Sequence, residues 1–310
     1  MERLDSGSAV PPRFRGGIVA LGNFDGFHLG HQAVVGAAVA HAHAEGRPAI
    51  VATFDPHPMR FFRPQSEYFR LTTMEQRARL LAAAGVDAML VFAFDQVLAD
   101  LSDEAFARER LAGMIGAAGV VTGHDFTFGK DRQGDVARLA ELGRALGFSA
   151  QVVPPVTLDG EPVSSTRIRT ALKQARPHEA TRLLTRPFAI EGLVQPGARL
   201  GRALGFPTAN LSLANYLRPA YGIYAVRGRL ADGRILDGVA SLGIRPTFDP
   251  PVELLEPWFF DFNEDLYGQT IEVALVDYIR PEAKFDDLEA LKAQIAADAT
   301  KARELLARAR

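Results

Sequence analysis

The stretch GIVALGNFDGFHLGHQ, residues 17–32, decides how the first half of the chain is read. Its opening run, GIVAL, is apolar throughout and has the length of a buried strand. It runs into a turn, GNFDGFHLGHQ (22–32), that holds three glycines, one aspartate and two histidines. From about His31 to Glu45 the pattern is helical, and Gly46 stops it. A strand that passes through a glycine-rich turn into a helix is the first part of a βαβ unit.

The alternation continues outward from that stretch. AIVATF (49–54), AMLVFAF (88–94), GVVTG (119–123) and AQVVP (150–154) are further strand candidates. Between them lie a helix from Thr73, with Thr72 and Glu75 in a capping-box pattern, a helix capped by Ser102, and a helix over Asp135–Leu146. This spacing predicts an α/β domain with a parallel, Rossmann-like sheet and right-handed crossovers. From about Phe188 the helical period vanishes. FAIEGLV, YGIYAVRG, ILDGVASLG, PWFFDF and TIEVALVDYI follow, separated by Gly and Pro turns, and predict a small antiparallel β-barrel. Pro257 in the fourth run predicts an edge strand. The chain ends in an amphipathic helix with Leu288, Leu291, Ile295 and Ala299 on one stripe. Residues 166–186, helical but interrupted by Pro177, form a bridge, so the expected domains are 1–185 and 186–310.

Composition bounds the chemistry. The 310 residues are 47% hydrophobic and 23% charged, which fits a globular protein of two domains. A net charge of −2 argues against a general nucleic-acid or membrane-surface binder. The absence of cysteine removes disulfides, thiolate nucleophiles and cysteine-ligated metal sites. The N-terminus lacks the apolar core of a signal peptide, and no apolar run approaches the ~18 residues of a membrane span. The expected location is the cytoplasm.

Four polar clusters fall just after strands or at a helix start: 22–31, TFDPHP (53–58), GHDFTFGKDRQGD (123–135) and SSTRIR (164–169). Loops at the carboxyl ends of parallel strands share one edge, where ligands bind. Glycines let backbone N–H groups approach phosphate, and a helix start adds positive dipole. His28 and His31, three apart, can face one ligand, with imidazole N–H groups aimed at phosphate oxygens. Thr166 and Arg169, also three apart, can clamp outer phosphates. No GxxxxGK[ST] or GxGxxG motif is present, and the two histidines lack a third metal ligand. Taken alone, HxGH could equally be a capping turn, and Phe126 and Phe128 could be core or the wall for a flat aromatic ligand.

In the second half, GRALGFPTANL (201–211) places Thr208 and Asn210 on one side of a strand. A hydroxyl and an amide oxygen are hard ligands suited to Mg²⁺ with bound phosphates, and Gly201 and Gly205 suit a phosphate flap. Phosphoryl transfer to a hydroxyl benefits from a base, and Glu253, Glu256 and Glu264 are all candidates by spacing.

Together the four N-terminal clusters resemble the FAD synthetase module of bacterial bifunctional riboflavin kinase/FMN adenylyltransferases, over roughly 17–185. GRALGFPTANL, YGIYAV, SLGIRPTF and EPWFFDFNEDLYG resemble the riboflavin kinase module of the same family, over roughly 186–310. The first resemblance implies a nucleotidyltransferase fold in which FMN phosphate attacks the α-phosphate of ATP. It implies that His28 and His31 stabilise the transition state and that Arg169 grips phosphates. It also implies that Gly22, Asn23, Phe24, Gly30, Asp125, Ser165 and Thr166 line the ATP site, and that Phe62 and Phe128 contact flavin. No role carries over to Arg167, which falls at a variable position. The second resemblance implies that Glu256 activates the ribityl 5′-hydroxyl of riboflavin for attack on the γ-phosphate of ATP. Thr208 and Asn210 match the Mg²⁺–nucleotide ligands, with Gly201 and Gly205 at ATP. Trp258 stands where that family often has a smaller aromatic residue or His. The implied partners are riboflavin, FMN and ATP, with a divalent cation and no nucleic acid or membrane.

Overall fold

The structure, a computed structural model, describes residues 1–67, 69–196, 206–245, 252–285 and 287–309. Gly201 and Gly205 lie outside them. The chain divides into two compact units, Met1–Glu67 with Met74–Ser164, and Tyr68–Thr73 with Ser165–Arg310.

The first unit is built on six parallel strands: β1 (Glu2–Asp5), β2 (Ile18–Leu21), β3 (Ala49–Asp55), β4 (Ala88–Ala93), β5 (Gly119–Gly123) and β6 (Ser149–Val153). Their order is β1-β4-β3-β2-β5-β6. The helices are α1 (Leu29–Glu45), α2 (Pro58–Phe62), α3 (Met74–Ala83), α4 (Gln96–Ala99), α5 (Asp103–Phe106) and α6 (Val136–Leu146). A π-helix, Ala107–Ile115, continues α5, and a small hairpin, β7 (Thr157–Leu158) with β8 (Glu161–Pro162), follows the sheet. The strand runs read as continuously apolar because both faces are covered. Val19, Leu21, Ile50, Ala52, Leu90 and Phe92 enter one core layer, while Ile18, Ala20, Val51, Met89 and Val91 enter the other.

Three local details differ from the sequence expectation. Strand β1, at the edge, has no apolar run to reveal it. Its register comes from pairing with β4, extended by Ser6 N–H donating to the Val91 carbonyl at 3.0 Å. Helix α3 starts at Met74, and Glu75 faces Arg3 at 3.3 Å. Helix α1 starts at Leu29, because His28 caps it.

The topology itself selects a binding edge. From β2 the chain builds outward to β3 and β4, then returns to the other side of β2 to lay down β5 and β6. The order therefore reverses between β2 and β5, and the loops leaving those strands flank the switch point.

The second unit begins with α7 (Ser165–Lys173) and α8 (Pro177–Leu184); Pro177 opens α8, where a missing N–H costs nothing. Six strands follow: β9 (Phe188–Leu193), β10 (Leu211–Ser212), β11 (Gly222–Arg229), β12 (Ile235–Arg245), β13 (Val252–Phe259) and β14 (Thr270–Arg280). All pairings are antiparallel in the order β10-β13-β12-β11-β14-β9. A bridge between Gln195 and Asn210 joins the two ends, so the sheet is a nearly closed barrel. Strand β13 is not an edge strand: it lies between β10 and β12. The Pro257 carbonyl accepts from Ala209 N–H at 2.9 Å, so the proline nitrogen faces the β10 side, where the ladder is shortest and least is lost.

A final helix, Leu288–Arg308, is capped by Asp287 and lies over Ala225, Val239, Trp258, Phe260 and Val276. Its buried contacts come from Ala299, Ala302 and Leu306; Leu288 is exposed, so the apolar stripe starts later than the sequence pattern indicates. The helix is tied to β14 by Asp298, 4% exposed, which receives the Arg280 guanidinium through both carboxylate oxygens. Among the described residues no helix is long and apolar enough to cross a membrane.

Removing one member of such a pair strands the other in a poorly solvated place. Arg280→Met is expected to lower stability by roughly 3 kcal/mol, read as a fall in the urea midpoint of the C-terminal unit.

Candidate active sites

The turn after β2 is held in an unusual backbone. Phe24 and Phe27 are non-glycine residues at φ 51° and 42°, flanking Gly26 at 86°. The turn delivers His28 to the N-cap of α1, where its Nδ1 accepts from the His31 N–H at 3.3 Å. With Nδ1 accepting, the proton of a neutral His28 ring sits on Nε2. The two imidazoles stack with centroids 3.6 Å apart and planes 18° apart, and Phe24 meets His31 edge-on at 5.3 Å. Gly30 permits this: a Cβ there would stand 3.2 Å from the His28 ring. Asn23 is half-buried, and its Oδ1 is an acceptor with no hydrogen-bond partner among the described residues. The site thus combines a helix N-terminus, two stacked imidazoles and a vacant amide oxygen, all from one turn.

Two other clusters emerge at the same sheet edge, from the strands on either side of β2. TFDPHP closes β3 and opens α2, with His57 Nδ1 accepting from Met59 N–H at 3.1 Å. GHDFTFGKD leaves β5, with Asp125 exposed just beyond Gly123. Phe128 is 6% exposed, stacked on Phe126 with centroids 5.8 Å apart. It fits there because Gly134 lacks a Cβ, which would come within 2.8 Å of the ring. Phe62, by contrast, is 64% exposed at the end of α2, edge-on to Phe61 and Phe94. The fourth cluster opens α7 in the second unit. Ser165 is its first residue, Thr166 is exposed, and Arg169 Nε donates to the Phe69 carbonyl at 2.8 Å with its guanidinium over the Phe69 ring. Arg167 turns to Glu179 on α8 at 3.0 Å.

On the barrel, Thr208 and Asn210 sit where the sheet closes. Asn210 is 7% exposed, and its carbonyl accepts from Gln195 N–H at 2.9 Å. Leu211 pairs with Leu255 and Ala209 bonds to Pro257, so Asn210 stands directly across from Glu256. That register separates three glutamates that spacing alone leaves equivalent. Glu264 is exposed and bound fork-to-fork by Arg234, which lowers its pKa. Burial opposes the Glu253 carboxylate, but Arg218 and the Tyr221 hydroxyl outweigh it and hold its pKa below the usual range. Both are committed to structural partners away from Asn210. Glu256 faces it, half-buried, and receives Arg245 Nε.

Arg245, within SLGIRPTF, carries no role in the sequence pattern. It also donates to Glu282 at 2.7 Å and to Ser241 at 2.7 Å. Its signal would have been strand parity, since Ser241, Gly243 and Arg245 alternate on the face that carries Glu256. Trp258 continues that face, edge-on to Phe206 at 4.9 Å and to Phe260 at 5.5 Å.

Comparison with known proteins assigns each half separately. A family model described as FAD synthetase matches residues 11–167, and one described as riboflavin kinase matches residues 184–306. The chain is 41% identical to the bifunctional riboflavin kinase/FMN adenylyltransferase of Pseudomonas fluorescens, over 96% of this chain and 95% of the relative. It is 37% identical to the protein of that name from Haemophilus influenzae, over 92% of each, and 38% identical to that of Escherichia coli K12, over 93% and 92%. Among solved structures, a Streptococcus pneumoniae protein described as a macrolide-efflux protein superposes with a TM-score of 0.86 at 32% identity, over 96% of this chain and 97% of that one.

The capping role of His28 can be measured apart from any activity. His28→Ala should cost about 1 kcal/mol through loss of the cap acceptor, while His28→Asn, which keeps an acceptor, recovers most of it; the urea midpoint of the N-terminal unit reads both.

Proposed function

The chain belongs to the family of bifunctional riboflavin kinase/FMN adenylyltransferases, and from that premise we propose how its own residues divide the two reactions. It carries a FAD synthetase domain followed by a riboflavin kinase domain. Riboflavin is phosphorylated to FMN by ATP in the C-terminal half, and FMN is adenylylated to FAD by a second ATP in the N-terminal half, releasing pyrophosphate. We take the domains as 1–185 and 186–310 and place the enzyme in the cytoplasm, where a cysteine-free, ATP-consuming chain is at home.

For adenylyl transfer, the FMN phosphate oxygen attacks the α-phosphorus of ATP as the bond to pyrophosphate breaks. Charge grows on the leaving oxygens. His28 and His31 supply N–H donors at the N-terminus of α1, where the backbone amides of the first turn already favour an anion. Gly22, Asn23, Phe24, Gly30 and Asp125 line the ATP, and the vacant Asn23 oxygen suits an amino or hydroxyl donor. Ser165, Thr166 and Arg169 bind phosphates from α7, and Phe62 and Phe128 belong to the flavin side. Phe62, exposed in an aromatic group, has a free ring face to offer; Phe128 contributes by backing Phe126.

For phosphoryl transfer, Glu256 takes the proton of the riboflavin 5′-hydroxyl as its oxygen attacks the γ-phosphorus of ATP, the bond to the β,γ-bridging oxygen breaks and ADP leaves. The observation that carries this assignment is the cross-strand position of Glu256 opposite Asn210. Among the described residues no three His, Asp or Glu side chains form a metal-ligand set, so a cation here would draw on Thr208, Asn210 and nucleotide phosphates, all hard oxygens that fit Mg²⁺. Bound there, it would offset phosphate charge. Gly201 and Gly205 complete the proposed nucleotide contacts.

Incubation with riboflavin, ATP and Mg²⁺ followed by separation of the flavins tests the division. Both FMN and FAD should form. His28→Ala with His31→Ala should stop FAD formation while FMN accumulates, and Glu256→Gln should stop FMN formation while supplied FMN still becomes FAD. Loss of both activities in either folded variant would show that the sites are wrongly divided.

A further inference from the structure

Below the histidine turn lies a buried charge pair that none of the roles above uses. Arg77 on α3 and Asp25 in the turn have side chains only 5% and 4% exposed, with Arg77 Nη2 3.6 Å from Asp25 Oδ1. Arg77 Nη1 also donates to Thr53 Oγ1 at 3.2 Å, and that hydroxyl donates to the Asn23 carbonyl at 3.0 Å. One guanidinium therefore holds the turn in two places, at Asp25 directly and at Asn23 through the Thr53 hydroxyl of β3.

Those two places flank the first strained residue of the turn. Phe24 lies between Asn23 and Asp25 at φ 51°, and Phe27 follows at φ 42°, one residue before His28. Left-handed backbone at non-glycine residues persists only where the surroundings over-determine it. A buried ion pair is weak evidence of stabilisation, because an apolar pair of similar volume often does as well. What a guanidinium adds is reach in two directions at once: its planar fork donates to the Thr53 hydroxyl from one nitrogen while the other stands in ion-pair range of Asp25.

We propose that Arg77 is a positioning residue for adenylyl transfer, fixing the Asn23–Asp25 backbone and thereby the placement of His28 and His31. Buried as it is, Arg77 acts through the turn and not on the substrate. The proposal rests on the assignment of adenylyl transfer to this turn.

The full-length chain supplies its own control, because the kinase half reports independently on each preparation. Arg77→Met should lower kcat for FAD formation from FMN and ATP by about 10²-fold, the scale of a small misplacement at a reacting centre. KM for ATP and FMN should stay within about threefold, and kcat for FMN formation should match the parent. Arg77→Lys, which keeps the charge but not the fork, should recover part of the loss. Asp25→Asn with Arg77→Met leaves no unpaired buried charge, so it decides the matter if the single variant does not fold; it should fold and remain slow. A loss carried by KM, or a folded double variant with parental kcat, would overturn the positioning role. His28→Ala run alongside separates the failures. If it stops FAD formation and Arg77→Met does not, only the role of Arg77 falls. If it leaves FAD formation intact, the assignment of the chemistry to this turn falls, and the proposal with it.

Discussion

Two phenylalanines pay for the turn on which the N-terminal half depends. Left-handed backbone costs a non-glycine residue roughly 1–3 kcal/mol, and Phe24 and Phe27 both adopt it. Burying a large apolar side chain returns roughly 1.5–3 kcal/mol, and these two are 1% and 5% exposed, sunk in the core between the sheet and α1. The terms are of the same size, so the aromatic anchors can offset the strain. The chain is thereby forced to leave β2 sharply and to start α1 at Leu29. A smoother exit from β2 would carry the helix start away from the switch point, and the imidazoles with it.

The second half solves a different problem with charge. Its three candidate glutamates are sorted by their donors: Arg234 fixes Glu264 in solvent, Arg218 and the Tyr221 hydroxyl fix Glu253, and Arg245 meets Glu256 while also holding Glu282. Arg245 divides its donors among two carboxylates and a serine, so its charge is not devoted to Glu256 alone. Gly243 makes the sharing possible, since a Cβ there would lie 2.2 Å from a Glu282 oxygen.

Much of this was legible in the chain because it is written locally. Apolar runs mark β2 to β5, caps and glycines mark the helices between them, and the loss of helical period near Phe188 marks the change of architecture. What escaped depends on partners remote in sequence. Strand β1 is a strand only because β4 offers an edge. The interior place of β13 despite Pro257 follows from which neighbour its nitrogen faces. The buried stripe of the last helix is shifted because Asp298, polar on any hydropathy scale, is drawn inward by Arg280. The stacking of His28 on His31 needed the cap at His28, which spacing left ambiguous with a helix start at His31.

The closure of the barrel has a mechanical consequence. Strands β12 and β14 are eleven residues long, whereas among the described residues the sheet is completed through the two residues of β10 and one Gln195–Asn210 bridge. At about 1 kcal/mol net per hydrogen bond, the bonds among the described residues make parting the barrel there cheaper than parting a full ladder elsewhere. The clasp of the barrel is thus also the segment that carries Thr208 and Asn210. Among the described residues the barrel is held least along that strip and most along the ladders that join β11 to β12 and β14.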